Sequence, residues 1–163
     1  MRNDLEAIMR TVAMAVALWA AAGAQAGTVQ VQYADTSKFA DFGETNWDRE
    51  RHQKELTQFL QSWGKRIGPN QELVIEVRDV NLAGELEWLR GYAQRLRVMR
   101  SVTLPFIDFN VELKEGGQLL RKEHVELRDF SYLNGSELRW RGEALAHEKT
   151  MLDRWFTRQF LKP

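Results

Sequence analysis

Apolar residues along the chain change period several times, and the changes mark the elements. Val29, Val31 and Tyr33 alternate with Gln30 and Gln32, the period of two expected of a half-buried strand, because successive side chains leave a strand on opposite faces. From Asp35 to Gly43 turn-forming residues surround an apolar anchor, Phe39, which predicts a loop packed by that ring. Thr45-Asn46-Trp47-Asp48 offers a helix start, with a side-chain oxygen to cap free N–H groups and an acid in the first turn. Leu56, Phe59, Leu60, Trp63 and Ile67 then recur at helical spacing, with Arg49, Glu50, Arg51, Lys54, Glu55 and Lys65 on the other side. That is a surface helix with one buried stripe. Gly68-Pro69-Asn70 predicts its end, with Gly68 as a left-handed cap and Pro69 forbidding continuation.

Alternation returns with Leu73, Ile75 and Val77, predicting a strand that ends near Asp79. Residues 79 to 105 carry no clear period; Asn81 to Gly84 break the strand, and the mixed run 85–104 reads as a short helix or an irregular arm. Ile107, Phe109, Val111 and Leu113 alternate with polar residues after Pro105, and Glu115-Gly116-Gly117 turns this strand back into Leu119 to Leu127. The pair reads as a hairpin whose loop needs positive φ at glycine. After a loop at Asp129 to Gly142, Leu145, Met151, Leu152, Trp155, Phe156 and Phe160 predict a closing amphipathic helix. The order is β-α-β-β-β-α. Two helices on one face of a mainly antiparallel sheet of about four strands would bury both stripes, the α+β class.

The first residues change the picture of where this domain works. Arg2 and Arg10 precede an uncharged, Ala-rich stretch from Thr11 to Ala24, followed by Ala24-Gln25-Ala26 and Gly27. A basic start, a short apolar stretch and small residues at the cut are the marks of a secretory signal peptide cleaved after Ala26, and a start at Met9 would leave a cleaner one. The stretch falls short of the roughly 20 residues a transmembrane helix needs. The expected protein is therefore periplasmic and soluble: a signal peptide at 1–26, then a single α+β domain at 27–163. The chain has no cysteine. That excludes a lipid anchor through cysteine, disulfides, a thiolate nucleophile and thiolate metal sites, and leaves no stable membrane anchor after cleavage. Removal of the leader leaves 163 − 26 = 137 residues, enough for one core. It takes two basic and two acidic residues, so 23 − 2 = 21 of each sign remain. A neutral chain makes no electrostatic case for nucleic acid.

Candidate chemistry is sparse. His52, His124 and His147 have no partner at a metal-motif spacing, so no metal and no cofactor are expected. Asp79, Asn81 and Glu85 carry the oxygens that calcium takes, but they lack the spacing and number of acids of an EF-hand, and a strand-ending turn is the better reading. No GxSxG or SxxK motif accompanies the serines, and the glycines of Gly116-Gly117 do not open a helix. Trp140 lies between Arg139 and Arg141, the kind of pairing found at interface hot spots and on sugar platforms.

Five stretches resemble the bacterial exported proteins catalogued as the domain of unknown function 3016 family (DUF 3016): Lys38 to Asp41, Val77 to Glu85, Leu96 to Arg100, Leu127 to Leu133, and His147 to Phe156. The second and last are the most specific. One departure is Phe106, where the family carries a basic residue after the central proline. The resemblance implies no activity, but it directs attention to Asp41, Asp79, Arg97, Asp129 and Trp155, of which Trp155 is expected to pack. With Asn81 and Trp140, the four polar residues make the candidate binding set: Asp41, Asp79, Asn81, Arg97, Asp129 and Trp140. The leading expectation is a non-enzymatic binding or accessory module that holds an envelope component or a protein partner at one sheet end or at the Trp140 loop. The alternatives are a small hydrolase with a carboxylate site, which needs Asp41, Asp79 and Asp129 about 5 to 9 Å apart in a cleft, and a self-associating structural protein.

Overall fold

The computed structural model of the protein describes residues 26–134 and 138–161; the leader expected over residues 1–26 lies, but for Ala26, outside the described residues. The elements follow in the order β1 (Thr28–Tyr33), α1 (Asn46–Gln61), β2 (Gln71–Asn81), β3 (Glu85–Glu87), β4 (Leu96–Val98), β5 (Phe106–Glu115), β6 (Gln118–Arg128) and α2 (Ala146–Phe160). Four strands form one sheet in the order β1-β2-β5-β6, and β3 pairs with β4 in a separate two-stranded arm. Helix α1 carries the chain from β1 to its parallel neighbour β2, whereas the other pairs are antiparallel. This is the α+β architecture that the sequence pattern predicts.

Alternation puts Leu73, Ile75 and Val77 of β2 and Ile107, Phe109 and Val111 of β5 on one face, where all six are inaccessible to solvent. Both helices close that face. Leu56, Leu60 and Trp63 come from α1 and the short 3-10 turn that follows it, and Leu152, Trp155 and Phe156 from α2. Trp63 stacks on Phe156 at 4.3 Å and 17°, while Trp155 meets Phe109 edge-on at 5.0 Å. Each such side chain contributes about 1.5–3 kcal/mol by leaving water, so this aromatic seam between the helices and the sheet is the main stabilising feature.

The start of α1 forms as its sequence predicts. Thr45 Oγ1 accepts from the Asp48 N–H at 3.1 Å, and the Asp48 carboxylate accepts from the Thr45 N–H at 3.1 Å, a reciprocal capping box. Its end differs. Gly68 is not left-handed; α1 tightens into the 3-10 turn Ser62–Arg66 and leaves it through extended Ile67. The Gly68 N–H donates to Gln71 Oε1 at 2.8 Å and the Gln71 N–H returns to the Gly68 carbonyl at 3.0 Å, so residues 68–71 close a turn into β2 in place of a helix cap. Phe42, rather than Phe39, is the fully buried ring of the loop before α1, because a bridge between Asp41 and Asn81 draws that stretch against the end of β2. That bridge, together with a bulge between Val77 and Asp79, carries β2 past Asp79 to Asn81.

In the β5–β6 hairpin, Gly116 and Gly117 have φ of 55° and 82°, the two-residue turn in which both positions are left-handed. Just beyond the turn the register slips. Lys114 faces Leu119, but Leu113 faces Arg121. The extra residue restores the hydrophobic phase, bringing Val125 opposite Phe109 and Leu127 opposite Ile107, and it leaves Leu119 and Leu120 half exposed.

Candidate functional site

The run 85–104, unreadable in the sequence, is an arm. It leaves β2 at Gly84, makes the short β3–β4 pair and returns through Pro105 to β5. The root requires glycine on two counts. Gly84 has φ of 76°, and a Cβ there would lie 2.6 Å from the Val98 carbonyl oxygen. The outer part of the arm exposes Trp88 and Tyr92.

Four of the six residues singled out in the sequence meet at this root. Arg97 of β4 forks onto Asp41, with its two guanidinium nitrogens 2.8 and 3.2 Å from the carboxylate oxygens, and donates also to the Gly84 carbonyl at 3.2 Å. Asp79 Oδ1 accepts from the N–H groups of Ala40 and Val80, both at 2.8 Å, which is the strand-ending turn role. Asn81 donates to the Leu104 carbonyl at 3.1 Å, holding the returning end of the arm. The other two residues have different work. Asp129 is buried, one oxygen accepting from Ser131 N–H at 3.0 Å and the other facing Arg154 of α2 at 3.1 Å. Trp140 is half-buried, edge-on to Phe59 at 5.1 Å.

A residue that the sequence reading passed over completes the anchor. Glu148, buried in the first turn of α2, accepts from the Ala83 N–H at 2.6 Å and so ties the second helix to the arm root. An acid in the first turn of a helix is expected for its electrostatics alone, which hid this second role. Phe106, the departure from the family pattern, faces Arg128 across the β5–β6 register, and the Arg128 guanidinium lies 4.2 Å above its ring. A cation thus occupies that place from the neighbouring strand.

The arm separates two hollows of about 810 and 800 Å³, with Glu44, Leu86 and Arg95 lining both. An ion pair between Arg95 of the arm and Glu44 ahead of α1 crosses the divide. The larger hollow lies between the arm and the N-terminal ends of the two helices. Trp47, about two thirds exposed, borders it, with the Arg51 guanidinium 4.9 Å over its ring. His52 and His147 line it too, His52 with Nδ1 held by the Phe42 carbonyl at 2.9 Å and His147 edge-on to Tyr132. The carboxylates of Asp41 and Asp79 at the root, and of Asp129 against the second helix, are each engaged by named donors. The chemistry this arrangement offers is recognition: an exposed indole face, imidazole edges and a guanidinium around a preformed hollow.

The fork sets an expected result. Arg97→Met removes a charge-assisted bidentate contact worth about 1.5–3 kcal/mol from a pair that is only about four fifths buried. Amide hydrogen exchange across residues 85–98 should accelerate by about tenfold to a hundredfold, while exchange in β2 and β5 stays near wild type. Equal acceleration in the arm and the sheet would mean the fork supports the whole fold instead of the arm.

The sequence model of the family described as "Protein of unknown function (DUF3016)" matches residues 27–158, and the chain belongs to that family. The match begins at Gly27, directly after the cut expected at Ala26, and covers the first helix, the arm and the second helix but for its last two residues. No curated protein and no solved structure matches the chain.

Proposed function

We propose that this protein is exported, loses residues 1–26, and serves as a non-enzymatic binding module of the cell envelope that holds a saccharide-bearing component in the hollow beside the β3–β4 arm. The observation that carries the reading is the exposed Trp47 indole with Arg51 above it, bordering a hollow of about 810 Å³ closed on one side by an arm with its own exposed Trp88 and Tyr92. Aromatic faces pack on the apolar face of a sugar ring, and guanidinium and imidazole groups donate to its oxygens. The carboxylates of Asp41, Asp79 and Asp129 support a binding role over hydrolysis, because each already holds a backbone N–H or a guanidinium in place. Among the described residues no helix is long and apolar enough to cross a membrane.

The test is native mass spectrometry of the protein recovered from the envelope fraction of its own cells. A chain starting at Gly27 and carrying a carbohydrate adduct is expected, with the adduct lost in a Trp47→Ala/Arg51→Ala variant that keeps the wild-type unfolding midpoint. An intact leader would overturn the export reading. An adduct unchanged in the variant would overturn the site.

A further inference from the structure

On the sheet face opposite the helices, strand pairing assembles a group that no sequence spacing reveals. Asp108 and Asn110 of β5 face Glu126 and His124 of β6 in register. One ligand atom from each of Asp108, His124 and Glu126 lies within 4.8 Å of the others. We propose that these three residues form a binding site for a divalent transition metal of the zinc type.

The neighbours orient the histidine as a ligand. Glu76 on β2 is acceptor-only when ionised, so the Asn110 amide must present its NH₂ group to Glu76, at 2.9 Å. The Asn110 carbonyl oxygen then faces His124 Nδ1 at 3.1 Å and accepts its proton. That fixes the neutral tautomer and leaves the lone pair on Nε2, which points to the side of Glu126, 3.8 Å from its carboxylate oxygen. A ring N–H held by an outer acceptor is the arrangement that metal-bound histidines adopt. A second observation points to a missing cation. Asp108 Oδ1 is fully buried and has no hydrogen-bond partner among the described residues. Leaving such an oxygen unpaired is costly, and neutral His124 offers it no charge: its Nδ1 lies 3.5 Å away, with its proton given to Asn110. One nitrogen and two carboxylate oxygens on a solvent-facing hairpin match the donor set of an open zinc site, with the remaining position left to water or a ligand. The site stands apart from the arm and does not rest on the function proposed above.

Calorimetric titration of Zn²⁺ into the chelator-treated protein tests it. One equivalent should bind with Kd below about 10 μM. His124→Gln should weaken binding by at least about 30-fold, and Asp108→Asn, Glu126→Gln and the outer Glu76→Gln by about tenfold or more each. Glu112→Gln is the control, since Glu112 lies on the same face but pairs with Lys122 at 2.8 Å; it should leave Kd unchanged. A Co²⁺-loaded wild-type protein, read by visible ligand-field bands and by selective broadening of the amide signals of 108–110 and 124–126, gives a result that no variant's folding can confuse. Absence of binding, or binding that His124→Gln leaves intact, overturns the proposal.

Discussion

Trp63→Ala should cost about 3–5 kcal/mol, a large share of the roughly 5–15 kcal/mol that keeps a domain folded, and lower the unfolding midpoint by about 10–20 °C. Trp63 is completely inaccessible and touches three aromatic rings from both helices: Phe59 edge-on at 5.8 Å, Trp155 at 6.1 Å and Phe156 in a stack at 4.3 Å. No single neighbour can move to fill the void, because each is already fixed against another ring. The size of the loss separates packing from polar effects. The Trp63 indole N–H is buried without an acceptor among the described residues, a defect that costs about 1–3 kcal/mol in place. Trp63→Phe removes that defect while keeping a ring in the stack, so its cost should stay below about 2 kcal/mol. Chemical denaturation of the three proteins decides the matter. Equal losses for Ala and Phe would mean that the indole N–H has a partner in solution and that hydrogen bonding, not packing, makes Trp63 indispensable.

That core was legible because periodicity reports burial directly. Leu73, Ile75 and Val77, Ile107, Phe109 and Val111, and the stripe from Leu56 to Trp63 were all assigned by their spacing, and all are buried. What stayed hidden is what periodicity does not encode. Gly68 looked like a left-handed cap, yet a contact from Gln71, three residues on, settled its conformation. The β3–β4 arm has strands of only three residues, too short for alternation to show, and it is held by contacts to distant residues: Arg97 to Asp41 and Ala83 to Glu148.

The site was legible in part through the family resemblance, which marked Asp41, Asp79 and Arg97, and through the turn ending the second predicted strand, which marked Asn81. Trp47 and Glu148 escaped notice because each has a sufficient local explanation, one in a helix start and the other in a first turn. The Asp108, His124 and Glu126 group depends on the bulge at Leu113 and Lys114. Counting straight back from the Gly116-Gly117 turn would set Asp108 opposite Val125, one position from the partner it has.

Removing both acids that face Lys149 should be as damaging as opening the core. Lys149 of α2 is 3% exposed, and its ammonium is bonded to Glu55 of α1 and, at 2.9 Å, to Glu143 of the preceding loop. Burial alone pulls a lysine's pKa down, but here the bonds to Glu55 and then Glu143 outweigh it and hold the group above its ordinary value. A pKa raised on folding means stability that is fully present below about pH 10.4 and is lost as the pH climbs through the folded value. In Glu55→Gln/Glu143→Gln the ammonium stays buried without a counter-charge, and the expected cost at neutral pH is about 3–5 kcal/mol. The sign of the pH dependence then reverses. With burial unopposed the folded pKa falls below the ordinary one, so the double variant gains stability as the pH rises from neutral toward 10, where the wild type is flat. Adding Lys149→Met should recover most of the loss and flatten the profile, because an apolar side chain of similar length needs no partner. Tyr33, whose phenol burial pushes up to about 12 against the pull of its bond to Thr57, destabilises all of these proteins alike above pH 10, so the comparison belongs between pH 7 and 10. If the double variant loses under about 1 kcal/mol, water reaches Lys149 in solution, and the contact between the two helices rests on the aromatic seam alone.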